Sequence, residues 1–322
     1  MKSRYLFPTL ITLLSFWLMP TQVFATQNNS EQQLQAGYYH FQIGSVPVIA
    51  LSDGTMKLNT SLLNAPEDKV AHLLKHAYAK NPIDTSVNAY LILLGQKRVL
   101  IDAGTGPHYG PTLGKLPISL SNAGFKPEDI TDICITHMHL DHIGGMTKDK
   151  KRVFPNATIH IEKQEFEFWT SQSEKEKAPK ALQQRFTKAT QVLMPYKEAN
   201  KVALFDGKKQ LFDGLTAIPM RGHTPGHSFY QLQNDQDKLM FWGDIMHVAP
   251  VQFSKPDITI KFDINPKAAA PKRIEAFLDA AKTGFKVAPT HLSFPGVGQI
   301  RQDGDHYHWY PILYTNDATP QT

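Results

Sequence analysis

With 322 residues, 41% of them apolar, the chain has ample material for a buried core, in one large domain or two small ones. Its 34 Lys and Arg against 29 Asp and Glu give a formal charge of +5, too mild and too scattered for a nucleic-acid-binding surface. A single cysteine, Cys134, excludes an internal disulfide.

Lys2 and Arg4 flank the start of the mostly apolar run 5–19, and Val23-Phe24-Ala25 offers a signal-peptidase site. Residues 1–25 are therefore expected to be a signal peptide cleaved after Ala25, and the mature chain to be periplasmic or secreted. An uncleaved anchor is disfavoured, because the run is shorter than the ~20 residues of a span and Pro8 interrupts it. No later stretch is long or apolar enough to cross a bilayer, so no stable membrane span is expected in the mature chain. Cleavage removes two positive charges and no negative ones, leaving a net of +3.

Residues 26–36 are polar and rich in Gln and Asn, and read as a flexible start to the mature chain. Strand-like segments follow at 38–43, 46–51, 88–94 and 98–102, with turns at Ser52-Asp53-Gly54 and Gly95-Gln96-Lys97. A helix is expected over 66–80, opened by Pro66, with Val70, Leu73, Leu74 and Ala77 on one face. His72 and His76 have metal-ligand spacing there but no third ligand nearby, so they read as exposed. A helix at 117–123 closes at Gly124, a short one begins at Pro127, and an apolar strand Ile133-Cys134-Ile135 follows. Cys134 reads as core filling, since a strand points it away from the face of His137.

Beyond Gly144-Gly145, the basic run 148–152 reads as a solvated loop. A strand at 158–161 precedes a mainly helical stretch, 163–194, broken at Pro179. Strands at 202–205, 215–219, 228–232 and 238–242, a helix at 271–282 and a strand at 286–288 complete the pattern. This order predicts two similar α/β halves whose sheets pack face to face with helices outside.

The chemistry concentrates at Thr136-His137-Met138-His139-Leu140-Asp141-His142, three imidazoles and a carboxylate directly after an apolar strand. Imidazole and carboxylate are the ligands of zinc and similar divalent ions. His223, Asp244 and His291 are the downstream candidates. One ion could take His137, His139 and His223, a second Asp141, His142 and His291, with Asp244 bridging. Such sets leave coordination positions open, as catalytic sites do; a structural zinc site would favour thiolates.

Two ions about 3.5–4 Å apart lower the pKa of a shared water and polarise a substrate oxygen. Hydrolysis of an ester-like bond by a metal-bridging hydroxide is the expected reaction. Asp141 and Asp244 are the expected catalytic residues, holding the nucleophile, with Asp141 also a proton carrier. Asp102, at a strand end, is placed to fix the tautomer of a ligand imidazole, and His227 and His247 are candidates for similar support.

These motifs resemble the metallo-β-lactamase superfamily: His-x-His-x-Asp-His at 137–142, His-Thr-Pro-Gly-His at 223–227, Gly243-Asp244 and His291. Segments such as Ala50-Leu51-Ser52-Asp53-Gly54-Thr55, Gly110-Pro111-Thr112-Leu113-Gly114 and Thr290-His291-Leu292-Ser293-Phe294-Pro295-Gly296 are similar to its methyl parathion hydrolase-like branch. The resemblance implies a four-layer αββα sandwich over residues 37–314, with a tail at 315–322. It implies two divalent ions, zinc first, one at His137, His139, His223 and Asp244, the other at Asp141, His142, His291 and Asp244. It also implies an aromatic-lined substrate pocket, with Trp169, Tyr109 and, as a weaker candidate, Phe186 in it. Tyr109 stands where that branch is expected to carry phenylalanine, which counts against a purely apolar aryl ester. Pairing into a homodimer is expected from the resemblance alone.

The reading is thus a dinuclear-zinc hydrolase of a small-molecule lactone or aryl ester. Phosphotriester cleavage is a side activity or, as the alternative, the main one. A β-lactamase and a metal-holding binding protein without turnover are the rivals.

Overall fold

The computed structural model describes residues 35–315. The expected signal peptide, nearly all of the polar segment after it and the tail beyond Thr315 lie outside the described residues. In chain order the first strands are β1 (Tyr38–Ile43), β2 (Val46–Leu58), β3 (Ile83–Leu94), β4 (Lys97–Ile101) and β5 (Asp132–Cys134). Helices α1 (Glu67–His76) and α2 (Leu116–Asn122) lie between them, and α3 (Leu140–Ile143) follows. A two-strand hairpin, β6 (Thr147–Lys148) and β7 (Lys151–Arg152), leads to β8 (Thr158–Glu162), then α4 (Lys163–Thr170), α5 (Gln172–Lys177), α6 (Lys180–Glu198) and β9 (Val202–Phe205). The second half runs β10 (Lys209–Phe212), β11 (Leu215–Pro219), β12 (Ser228–Asn234), β13 (Asp237–Gly243), α7 (Ala249–Gln252), α8 (Pro266–Thr283), β14 (Lys286–Pro289), β15 (Gly298–Asp303) and β16 (His306–Pro311).

Alternation of side chains along the strands decides how these elements stack. The first sheet has the order β1-β2-β3-β4-β5-β8-β9 and the second β10-β11-β12-β13-β14-β15-β16. Val48, Ala50, Tyr90, Ile92, Val99 and Ile101 of the first sheet share one buried cluster with Leu215, Ala217, Tyr230, Leu232, Leu239 and Phe241 of the second. Their neighbours in sequence face the other way. Ile49, Leu51, Leu91 and Leu100 pack under α2 and α6 through Leu120, Phe186, Val192 and Tyr196. Phe229, Met240, Trp242 and Val287 pack under α8 through Ala276, Phe277 and Ala280. The layers are helix, sheet, sheet, helix, the αββα arrangement expected from the resemblance and from the order of elements. Cys134 is wholly buried in the cluster between the sheets, as expected.

Several boundaries differ from expectation. Ser52-Asp53-Gly54 is not a turn: β2 continues to Leu58, with a register shift between Ser52 and Gly54. The carboxylate of buried Asp53 accepts bonds from Thr105 N and Oγ1, Gly114 N and Leu116 N, so the loop at 105–116 is tied to the strand. Gly54 sits at φ +122, and a Cβ there would lie 2.1 Å from the Thr112 carbonyl oxygen. The signal for a turn is the signal for a bulge.

The helix expected over 66–80 ends at His76, where Tyr78 turns left-handed at φ 54 and Ala79 N bonds to Leu74 O. His72 and His76 are exposed on it. The stretch 163–194 breaks at Ser171 as well as at Pro179, because the Ser171 hydroxyl caps α5. α8 starts at Pro266 rather than Pro271, since Asn265 caps it by accepting from Ala268 N. The basic run 148–152 forms the hairpin β6–β7 rather than a loop. β10, β15 and β16 were not expected: β10 carries no apolar alternation, and β15 and β16 are mostly exposed, with only the side chains of Ile300, Tyr307 and part of Trp309 turned to the core.

Candidate metal centre

Strand ends at one edge of both sheets deliver the candidate ligands. The chain leaves β5 and passes through His137 to His139, whose backbone is extended, then turns into α3, which places Asp141 and His142. His223 follows β11, Asp244 follows β13 and His291 follows β14. The seven side chains expected from sequence as ligands meet in space as two groups: His137, His139, His223 and Asp244, and Asp141, His142, Asp244 and His291. Within each group the ligand atoms lie within 4.8 Å of one another.

The atoms facing inward can be named. His137 Nε2 and His223 Nε2 each lie 3.0 Å from His139 Nδ1, and 3.7 and 3.4 Å from Asp244 Oδ2. In the second group Asp244 Oδ1 is 3.1 Å from both His142 Nε2 and His291 Nε2, and Asp141 Oδ2 is 3.7 and 3.4 Å from them. Four tetrahedral donors at zinc's usual bond lengths would stand about 3.3 Å apart, within this range.

The outward nitrogens fix which atoms face in. His142 Nδ1 donates to Asp102 Oδ2 at 2.7 Å, His223 Nδ1 to Asp263 Oδ1 at 2.8 Å and His291 Nδ1 to the Ser86 carbonyl at 2.9 Å. These acceptors cannot donate, so the proton sits on Nδ1 and Nε2 presents a lone pair. His142 Nε2 and Asp244 Oδ1, which face each other at 3.1 Å in the second group, are buried without a hydrogen-bond partner. Buried polar atoms of a folded protein are almost always satisfied, so orphans gathered in one place fit an absent cation.

The charges agree. Burial, helped by neighbouring imidazoles, pushes His137 and His139 well below the usual imidazole range, so both stay neutral donors. Burial also opposes charge on His142 and His291, yet carboxylates outweigh it. Asp244, Asp102 and Asp141 raise His142 well above its ordinary value, and Asp244 and Asp141 raise His291 to about 10. Asp141 and Asp244 are themselves lowered, because the imidazole charges overcome their burial. The negative charge that binds protons here is what would bind a cation; the two compete for the same nitrogens.

The three support candidates also lie at the centre. Asp102 accepts from Thr136 N and Oγ1, both at 2.8 Å, besides His142. His227 donates from Nδ1 to the Met220 carbonyl and accepts the Asp244 backbone N–H at Nε2, with its pKa pushed down to about 3 by burial. His247 Nε2 stands 3.1 Å from Asp244 Oδ2, and its ring stacks on His291.

Two contributors were not anticipated. Asp263, which orients His223, sits in a loop with no periodic pattern to mark it. Glu165, fully buried, accepts from Met138 N, Trp169 Nε1, Thr224 Oγ1 and Gly226 N, and so ties the His137–His142 loop to the His223 loop. Its place one turn into a polar helix gave no sign of burial.

A cleft of about 280 Å³ opens over the centre, lined by Met56, Leu58, Tyr109, Met138, Arg185 and Phe262 above His139, Asp141 and Asp244. Tyr109 is in the lining, as expected. Trp169 and Phe186 are not: both are 1% exposed and pack on each other within the core, ring centroids 4.7 Å apart. Trp169 instead backs His139, 5.4 Å away, because Glu165 holds its indole N–H inward.

The family model described as the metallo-beta-lactamase superfamily matches residues 82–259. An N-acyl homoserine lactonase of Bacillus cereus is 27% identical over 124 residues, 38% of this chain and 40% of that protein. An atrochrysone carboxyl ACP thioesterase of Aspergillus novofumigatus is 28% identical over 160 residues, 49% of this chain and 37% of that protein. The chain thus spans about two fifths of these curated relatives. Among solved structures, that of hydrolase AbOPH, in the beta lactamase superfamily, superposes with TM-score 0.84 and 35% identity, covering 88% of this chain and 99% of that one. AidC, a dizinc quorum-quenching lactonase in complex with the product N-hexnoyl-L-homoserine, gives TM-score 0.81 and 28% identity, covering 87% and 99%.

Proposed function

From the premise that this chain belongs to the metallo-beta-lactamase superfamily, we propose that it is a metal-dependent hydrolase of small carboxylic esters, lactones first among them. The observation that carries this reading is the convergence of two His and Asp ligand groups, with the orphaned, buried donor atoms of His142 and Asp244 among them, at the floor of a largely apolar cleft. The lactonase relatives and the dizinc lactonase neighbour favour the lactone and zinc.

His137, His139, His223 and Asp244 would hold one ion, and Asp141, His142, His291 and Asp244 the other. When bound, the pair supplies Lewis acidity and brings the pKa of water toward neutrality. Met56, Leu58, Leu62, Met138 and Phe262 receive the apolar part of the substrate and exclude water around it. Asp141, held ionised, accepts a hydrogen bond from the attacking water and relays its proton to the alkoxide oxygen that leaves as the ester C–O bond breaks. Burial pushes the Tyr109 hydroxyl above its ordinary range, so it stays protonated and can donate to the substrate.

Purified protein should be assayed on an acyl-homoserine lactone, an aryl ester, a phosphotriester and a cephalosporin, with and without a chelator. Turnover of the lactone or aryl ester, lost on chelation and restored by zinc, is the expected result. Faster phosphotriester or cephalosporin turnover would replace the substrate class, and no chelator-sensitive turnover would make this a metal-holding binding protein. We also propose that the mature chain begins after Ala25 and acts outside the cytoplasm, which N-terminal sequencing of the exported protein would test.

A further inference from the structure

We propose that Arg185 makes the cleft selective for esters that carry a second, free carboxylate, which the guanidinium binds; this rests on the hydrolase reading above. Arg185 lies on α6, half-buried, and lines the cleft beside Tyr109 and Phe262. Its guanidinium stands 5.4 Å from the centre of the Phe262 ring, and its charge is felt at the Tyr109 hydroxyl. No hydrogen bond or ion pair engages it among the described residues. The other arginines there that are not fully solvent-exposed all donate: Arg98 to Gly95 O, Arg152 to Pro155 O, Arg221 to Glu162, and Arg273 to Pro256 O and Ile258 O.

An apolar cleft is a costly place for a guanidinium whose five donors have no protein partner. Stacking on Phe262 offsets part of that cost but fills none of the donors. The planar fork of a guanidinium matches a carboxylate in bidentate fashion, which an ammonium does not. The other cation in the lining, Lys57, is paired with Asp84 at 2.7 Å, which leaves Arg185, among the described residues, as the cleft's cation without a protein partner. Asp141 and Asp244, on the floor, belong to the metal groups. A carboxylate away from the scissile bond can therefore be read by Arg185 while the ester lies over the centre.

The test compares an aryl hemiester of glutaric acid with its neutral methyl diester on the metal-loaded protein. The wild type should favour the hemiester by about 10- to 100-fold in kcat/KM, chiefly through KM, as expected for a charged hydrogen bond. Arg185→Met should collapse that ratio toward one, and Arg185→Lys, which keeps charge and loses the fork, should fall between. Equal ratios in wild type and Arg185→Met, or a wild-type preference for the diester, would overturn the proposal. Should the wild type hydrolyse neither ester, titration calorimetry with glutarate decides the proposal, and the hydrolase reading itself fails only if the acyl-homoserine lactone and the other substrates named above are also left intact. Glutarate binding weakened at least tenfold in Arg185→Met and less in Arg185→Lys keeps the carboxylate site; unchanged binding removes it. Thermal melts identify a misfolded variant, in which case the Arg185→Lys comparison alone decides.

Discussion

Asp102 stands at φ 58, at the end of β4, and accepts three hydrogen bonds with two oxygens: Oδ1 from Thr136 N, Oδ2 from Thr136 Oγ1 and His142 Nδ1. Its isostere cannot repeat this. In Asp102→Asn the amide group either faces the Thr136 N–H, donor against donor, or faces His142 Nδ1 and favours the tautomer with its proton on Nε2. The second orientation turns a lone pair away from Asp141 and Asp244. Asp102→Asn is therefore expected to lower affinity for one of two ions by about 10- to 100-fold, while the other stays. Metal titration would show one weakened site; two ions retained at wild-type affinity would sink the idea. Asp102 was legible in sequence because Ile101-Asp102-Ala103-Gly104 ends an apolar strand. Asp263, which does the same for His223, was not, since what places it is the fold of the 253–265 segment around buried Arg273, whose guanidinium lies 3.9 Å from it. Local pattern reveals groups that one element delivers, and is silent about groups that meet through long loops.

Among the elements, β5 is the shortest strand of its sheet and carries a charge-dependent contact on both sides. Asp132 on it bonds Lys97 of β4 and His160 of β8, each at 2.8 Å, so three neighbouring strands are pinned at one carboxylate. Burial alone would raise this carboxyl, but the bonds from His160, Lys97 and Thr131 outweigh it and hold it at about 2, against 3.8 when free. A carboxyl lowered by folding stabilises the native state above its unfolded value and ceases to do so as pH falls through its folded one. The thermal midpoint of the wild type should therefore exceed that of Asp132→Asn near neutrality, and the gap should close between about pH 4 and pH 2. A gap that stays constant over that window would mean that the ion pairs are not its source. β2 gives a second expectation: Gly54→Ala, with backbone against its Cβ and φ at +122, should cost more than about 2 kcal/mol. Denaturant unfolding with an unchanged midpoint would refute it. The bulge was misread as a turn because Ser-Asp-Gly serves both, and only the loop bonded to Asp53 distinguishes them. Strands with a long apolar face were legible, whereas β15 and the edge strand β16 bury only the side chains of Ile300, Tyr307 and part of Trp309, too sparse an alternation to read.

At the scale of the whole described unit, the centre joins what the core separates. His137, His139, Asp141 and His142 hang from the first sheet, and His223, Asp244 and His291 from the second, so ions held between them would cross-link the two sheets at one edge. Without ions the same edge gathers neutral imidazoles pushed down by burial beside carboxylates that need positive partners. Ligands that bind only the folded state stabilise it by mass action, about 2.7 kcal/mol at a hundredfold excess over Kd. For a domain of this size that is a shift of several degrees at the least. A chelator should lower the thermal midpoint of the wild type and zinc should restore it. Asp244 contributes an oxygen to each group, so in Asp244→Ala the same treatments should move the midpoint far less. A wild-type midpoint indifferent to chelator, in protein shown by elemental analysis to have lost its metal, would mean that the sheets are joined by the shared core of Tyr90, Tyr230 and Phe241 alone.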